Sequence, residues 1–276
     1  MLTRRILVLA AVLAVFGLAR LRAQDAVQHM PPGADPAFEV STIKPSNPED
    51  MSKDFNFEGR IFRATNYTVE DLLALAYGLH AKQIVGEPGW FATTLYDIEG
   101  IPDVQGLPNQ RQKYLMIQKL LTDRFHLTFH LEKRQLAVYA ITAARGGARL
   151  APSIATADDP ERFRWQGRLG DLKVTNMTIP EFAVWFQKNV TERPVVDRSG
   201  LTGRYDFALT WTPGESEFPQ FLRTGAFNPS PTAGDDPKAP PGLFKAFQEQ
   251  LGLKLTAIKA PVDIMVIDHA ERPNPN

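Results

Sequence analysis

Arg63-Ala64-Thr65-Asn66-Tyr67-Thr68-Val69-Glu70-Asp71-Leu72 returns 110 residues later as Lys173-Val174-Thr175-Asn176-Met177-Thr178-Ile179-Pro180-Glu181-Phe182. Each copy reads as a short strand (around Gly59–Thr65 and Leu169–Thr175) that breaks into a capped helix. Thr68 and Thr178 are the N-caps, and Asp71 and Glu181, three residues on, complete reciprocal capping boxes. Tyr67 and Met177 precede the caps and reach Leu72 and Phe182, the pairing of a hydrophobic staple. Pro180 falls in the first turn, where a missing N–H costs nothing. The helices present Leu72, Leu75, Ala76 and Leu79, then Phe182, Trp185, Phe186 and Val190, at the spacing of one apolar face.

The correspondence continues outward. Tyr96-Asp97-Ile98 recurs as Tyr205-Asp206-Phe207, 109 residues on. Ile117, Leu121, Phe125, Leu127, Phe129, Leu136, Val138 and Ile141 recur 126 residues on as Leu243, Phe247, Leu251, Leu253, Leu255, Val262, Ile264 and Ile267. One insertion of about 17 residues explains the jump; it falls in Pro213–Pro241, a Pro- and Gly-rich stretch read as a long surface loop. A second helix per copy, Gln110–Asp123 and Gly242–Gln250, leads into alternating strands. Phe125–Leu131 has one apolar face, and Leu136–Thr142 and Pro261–Asp268 are expected to pair with their predecessors as hairpins. Phe38–Lys44 is one further strand. The expected fold class is α+β: an internal duplication of a strand–capped helix–strands–helix–β-hairpin unit, with mixed sheets and helices on one side. The division is leader 1–23, linker 24–37, first unit 38–150, linker 151–170, second unit 171–272 with its loop 213–241, and tail 273–276.

Residues 1–23 resemble a secretory signal: Arg4 and Arg5, an apolar run from Ile6 to Ala19, and Ala23 before a cleavage point. That run has 14 residues, whereas spanning a bilayer takes ~20, so cleavage is favoured over retention as an anchor. The chain carries 31 Lys+Arg and 31 Asp+Glu; the leader holds four Arg and no acid, leaving an exported chain of charge about −4. That balance argues against nucleic acid and anionic membranes as partners. Zero cysteine excludes a disulfide scaffold, a thiolate zinc site, an iron–sulfur cluster and a Cys nucleophile. No second apolar stretch of membrane length follows the leader.

Phe38-Glu39-Val40-Ser41-Thr42-Ile43-Lys44-Pro45, Arg193 to Phe207 (Arg-Pro-Val-Val-Asp-Arg-Ser-Gly-Leu-Thr-Gly-Arg-Tyr-Asp-Phe), Gln250-Leu251-Gly252-Leu253-Lys254-Leu255 and Val266-Ile267-Asp268-His269 carry a pattern. Over 38–272 the chain resembles an uncharacterised family of exported, soil-associated bacterial proteins, a domain of unknown function abundant in Acidobacteria. In that family the domain is sometimes fused behind the membrane metallopeptidase of antibiotic-sensor-like proteins. His-Glu-x-x-His, the mark of such a peptidase, is absent here, and the loop Pro213–Pro241 is longer than the pattern. The strand–capped-helix–strand core is also similar, more weakly, to the short periplasmic domain at the start of secretins and TonB-dependent receptors. That likeness implies an interaction module by analogy alone.

Several residues invite chemistry. His126 and His130, with Glu132, suggest a metal site, but four residues along a strand separate them by ~13 Å, so an exposed polar strand face is favoured. His80 and His269 read as surface residues near element ends. Asp97 and Glu99 lie ~6.6 Å apart on one strand face, a spacing that suits glycosidase carboxylates. The second copy keeps Asp206 but has Ala208 where Glu99 maps, which favours a structural Tyr-Asp device. Gly-x-Ser-x-Gly is absent, and Arg145-Gly146-Gly147-Ala148-Arg149 follows a strand without opening a helix, so it reads as a turn. Gly86-Glu87-Pro88-Gly89-Trp90-Phe91 before Tyr96 offers an aromatic platform of Trp90, Phe91 and Tyr96 for a peptide or sugar. The competing reading folds Trp90 back as the lid of the first core.

The resulting expectation is an exported binding or interaction module, periplasmic or extracellular, with no cofactor. Its partner would be an envelope protein, a peptide or a glycan. The alternatives are a hydrolase of an envelope or extracellular polymer acting through Asp97 and Glu99, and an extracytoplasmic sensor using His126 or His130.

Overall fold

The computed structural model describes residues 28–50, 52–155, 162–219 and 239–274. The leader and residues 220–238 of the long loop lie outside them.

Two four-stranded antiparallel sheets share one plan. In the first, β1 (Phe38–Pro45), β2 (Asp54–Glu58), β3 (Ile61–Tyr67) and β5 (Tyr96–Pro102) run in the order β1-β5-β3-β2. In the second, β7 (Ala151–Pro152), β8 (Arg162–Trp165), β9 (Asp171–Met177) and β11 (Tyr205–Thr210) run in the order β7-β11-β9-β8. Helix α1 (Val69–Tyr77) follows β3, and α3 (Ile179–Asn189) follows β9.

The strand-to-helix joint explains the repeated residues. Asn66 and Asn176 sit in the left-handed region, at φ of 56° and 57°. Asparagine tolerates that region better than most residues. The Asn66 N–H donates to Asp97 Oδ1 (3.0 Å), and the Asn176 N–H to Asp206 Oδ1 (2.8 Å). The strand register shifts at both joints, between Ala64 and Tyr67 and between Tyr205 and Phe207. Two residues on, the caps close as expected. Thr68 Oγ1 accepts from the Asp71 N–H (3.0 Å) and Thr178 Oγ1 from the Glu181 N–H (3.2 Å), with both carboxylates returning to the cap N–H. Asn-x-Thr is therefore a bend-and-cap unit, and Tyr-Asp is its clamp.

The expected hairpins are replaced by something longer. Helices α2 (Gln110–Phe125) and α4 (Leu243–Leu251) each feed one long strand, β6 (Thr128–Ala143) and β12 (Leu253–His269). These two pair antiparallel from Leu253 opposite Ala143 to His269 opposite Thr128. Leu131 and Leu136 are joined by Glu132-Lys133-Arg134-Gln135, which holds no Gly, Pro, Asn or Asp to turn the chain, so the strand runs through. Short parallel strands flank the pair. β10 (Val195–Asp197) sets Val195 against Tyr139 on β6, and β4 (Ile84–Val85) sets Ile84 against Met265 on β12. Gln135 faces Pro261, and Tyr139 and Met265 each lie four residues beyond that pair, so the sheet β10-β6-β12-β4 is symmetric about it.

Each half thus lends strands to the other. The first core, with Phe62, Leu72, Phe91 and Phe125, includes Met265 and Ile267 of β12. The second, with Phe182, Phe186, Trp211 and Phe247, includes Tyr139 and Ile141 of β6. A smaller cluster of Val138, Ala260, Val262 and Ile264 lies on the central sheet itself.

Two further expectations change. Residues 151–170, read as a linker, supply β7 and β8; their short runs carry too little alternation to announce a strand. Within 24–37, read as solvated linker, Met30 is buried and donates its N–H to Leu107 O (2.9 Å), while Gln112 Nε2 donates to Pro31 O (2.7 Å). Gly106 makes room for this: a Cβ there would lie 2.7 Å from the His29 carbonyl carbon.

Candidate functional site

Each residue suggested by sequence has a place in the architecture. Asp97 Oδ1 accepts from Ser46 Oγ (2.7 Å) as well as from the Asn66 backbone, and Glu99 takes Arg63 Nε at 2.9 Å. Asp206 repeats the backbone clamp in the second half. Phe91 and Tyr96 are buried in the first core, which corrects the platform reading. The turn closed by the Phe91 N–H on Pro88 O aims the rings at the end of α2. There Trp90 stacks on Phe125 (centroids 6.3 Å, 16°), and the Arg272 guanidinium lies 5.0 Å from the Trp90 ring.

The histidines separate. His126 is the C-cap of α2 rather than a strand residue, in the left-handed region at φ 51°, with its N–H on Leu121 O. Gly252 caps α4 in the same way at φ 61°. His130, on β6, has Nδ1 2.8 Å from Asp268 Oδ1 and Nε2 3.4 Å from Glu132 Oε1. Hydrogen bonding to Asp268, then to Glu132, pulls its pKa up. Both ring nitrogens therefore face carboxylates. Among the described residues, no group of three or more His, Asp or Glu side chains is arranged to hold a metal ion.

The structure instead gathers titratable groups where the two halves meet. His80, read from sequence as a surface residue, caps a short turn: its Nδ1 accepts from the Lys82 N–H (3.1 Å) and its own N–H donates to Gln83 Oε1 (3.0 Å). Burial pushes the imidazole down to about 4, against an opposing hydrogen bond to the Thr191 backbone. Lys82 Nζ donates to Glu192 O (2.6 Å), Gln187 Nε2 to Gly78 O (2.8 Å), and Gln83 Nε2 to Asp263 O (3.0 Å). Glu192 Oε1 accepts from the Tyr139 hydroxyl (3.1 Å) and pairs with Arg193 Nε (2.7 Å). Glu217, 4% exposed, takes the Gly214 N–H and the Ser216 hydroxyl; burial raises its pKa first, the charge of Glu192 last. Most of these groups are bonded to turns and backbone, and Glu192 to the Tyr139 and Arg193 side chains, so the cluster works as a joint. The sequence signal for it was His80 three residues before Gln83, a capping-box spacing with an unusual cap residue.

Tyr139 leads from this joint to an open feature. Its ring meets Phe244 edge-on (5.5 Å, 68°). Phe244, Lys245, Gln248 and Glu249 of α4, with Lys254 and Leu255 of β12, line an open-sided groove of about 440 Å³. Phe244 is 44% exposed. In the first half the residue 126 positions earlier is Gln118, whose Nε2 donates to Ala76 O (2.7 Å) and ties α2 to α1. Lys245 and Glu249 approach to 3.7 Å, and among the described residues the Lys254 ammonium meets no carboxylate.

A family model described as "Protein of unknown function (DUF3738)" matches residues 70–270. No curated protein and no solved structure matches. No helix among the described residues is long and apolar enough to cross a membrane.

Proposed function

The chain belongs to the DUF3738 family, and from that premise we propose that it is an exported binding module, built by internal duplication, that holds a component of the cell envelope or its surroundings. The observation that carries this reading is the contrast between the halves. What they share, Asp97 and Asp206 on the Asn66 and Asn176 N–H groups, is used to clamp the backbone. What they do not share is the groove, where Phe244 stands exposed and its first-half counterpart Gln118 closes the helix pair. A site present in one copy of a doubled scaffold is free of the architectural task and available to a ligand. The symmetric pairing about Gln135 and Pro261 supports the duplication. The basic start and 14-residue apolar run of 1–23 support export.

The test uses a photo-crosslinking amino acid at Phe244 in the native host, with a second at the exposed Val40 on β1 for comparison. An identified envelope component captured through position 244, from protein found outside the cytoplasmic fraction, is the expected result. Cytoplasmic retention, or no product at either position, overturns the reading.

A further inference from the structure

We propose that the groove between α4 and the start of β12 is a subsite for a small organic anion with a flat apolar part, an aromatic carboxylate being the plainest member of the class. The inference rests on the binding-module reading and adds the ligand chemistry. The volume of about 440 Å³ lies within the ~300–1,000 Å³ of small-molecule sites. Phe244 supplies a ring at the mouth, held at a fixed angle by its edge contact with Tyr139, and Leu255 supplies an apolar floor. Tyr139 is itself fixed by its hydroxyl on Glu192 and by the Arg193 guanidinium 5.3 Å from its ring. The Tyr139 ring on which Phe244 rests is therefore positioned before any ligand arrives.

Charge selects the anion. Lys254 and Lys245 flank the groove against the single carboxylate of Glu249, which Lys245 reaches at 3.7 Å. That leaves the Lys254 ammonium without a counter-ion among the described residues, and the exposed Gln248 amide on the same groove as a neutral donor for a second oxygen. An ammonium next to an apolar ring and an amide matches a carboxylate on a flat ring better than a neutral sugar or a cation. The first half lacks the arrangement: Thr128 stands where Lys254 does and Gln118 where Phe244 does.

The test is a titration of the purified protein with benzoate and with benzyl alcohol, followed by amide and side-chain NMR shifts. Benzoate is expected to shift Phe244, Gln248 and Lys254, with benzyl alcohol bound up to about fivefold more weakly, the worth of one solvent-exposed ion pair. Lys254→Gln is expected to bring the two probes level while circular dichroism stays native, and Phe244→Ser to weaken both. Equal binding of the two probes to the native protein, shifts confined to other surfaces, or no shift at all overturns the proposal. If benzoate fails while crosslinks at position 244 still capture an envelope component, the ligand class falls and the binding-module reading stands; if both fail, both fall.

Discussion

Acidification should loosen the junction of the two halves through His80. Its Nδ1 must be unprotonated to accept the Lys82 N–H, and its position beside the Thr191 backbone is buried enough to lower its pKa from 6.5 to about 4. In the unfolded chain the ring returns to 6.5, so between those values the unfolded state binds more protons and folding loses stability as pH falls. The effect starts as pH drops through 6.5 and levels off near 4. A displacement of that size is worth at most about 3.4 kcal/mol at ~1.36 kcal/mol per unit, and partial exposure of the ring reduces it to about 2 kcal/mol. Lys82 deepens the shift and Glu192 opposes it. His80→Asn keeps an acceptor suited to an N-cap and removes the titration. Urea unfolding of both proteins from pH 7.5 to 4.5 should show the native chain losing about 2 kcal/mol relative to the variant. His130, whose pKa is raised, stabilises the fold below 6.5 and loses that contribution as pH rises through its folded value. It does so in both proteins and cancels in the difference. Superimposable pH profiles, or a His80 proton resonance titrating near 6.5, would refute the reasoning.

Asp97→Ala and Asp206→Ala should each cost about 2 kcal/mol in chemical denaturation, the worth of a hydrogen bond to a charged acceptor. Similar values from the two sites are the mark of one device used twice, and a much smaller loss at either would remove it. His126→Gly should raise stability by about 0.5–1 kcal/mol by relieving left-handed strain at a helix end. Gly252→Ala should cost more than about 2 kcal/mol, since a Cβ there runs into Gly147 O; opposite signs are read from the two melting temperatures. Glu217→Gln should cost under about 1 kcal/mol and Glu217→Ala about 2 kcal/mol, because burial already favours the neutral carboxyl while the turn needs its acceptor. Equal losses would mean that the charge is required.

What was legible in the sequence is what local chemistry specifies. Asn-x-Thr with an acid three residues on states a bend, a cap and a helix within six residues, and both joints are built that way. Tyr-Asp was visible as a recurrence and becomes a clamp only when β5 and β11 arrive beside the joints. The exchange of strands was not legible, because alternation with period two is the same in a hairpin as in a strand paired with a distant one. The missing turn residues in Glu132-Lys133-Arg134-Gln135 were the available clue. His80 looked like a surface residue because groups that face it, the Thr191 backbone and the Glu192 carboxylate, come from the other half. Phe244 drew no notice in the sequence, because the correspondence runs through Leu243 and Phe247 while its own counterpart is the polar Gln118.

The exchange makes a claim about folding that neither half can escape. Met265 and Ile267 belong to the first core although they end β12, and Tyr139 and Ile141 belong to the second although they end β6. Fully burying one such side chain is worth ~1.5–3 kcal/mol, so each half without the other forgoes about 3–6 kcal/mol of burial. It also leaves one long strand with an unpaired edge along its whole length. Against a domain stability of ~5–15 kcal/mol that deficit is a large share, before the lost strand pairing is counted. Residues 28–155 expressed alone are therefore expected to lack cooperative unfolding and to aggregate through β6, and 162–274 through β12. Mixed at equal concentration, the two should form a one-to-one complex with the circular dichroism of the intact chain. A first half that unfolds cooperatively by itself, with its Met30 and Phe91 amides protected from exchange, would show that the strand exchange is an addition to two complete cores and not the bond between two incomplete ones.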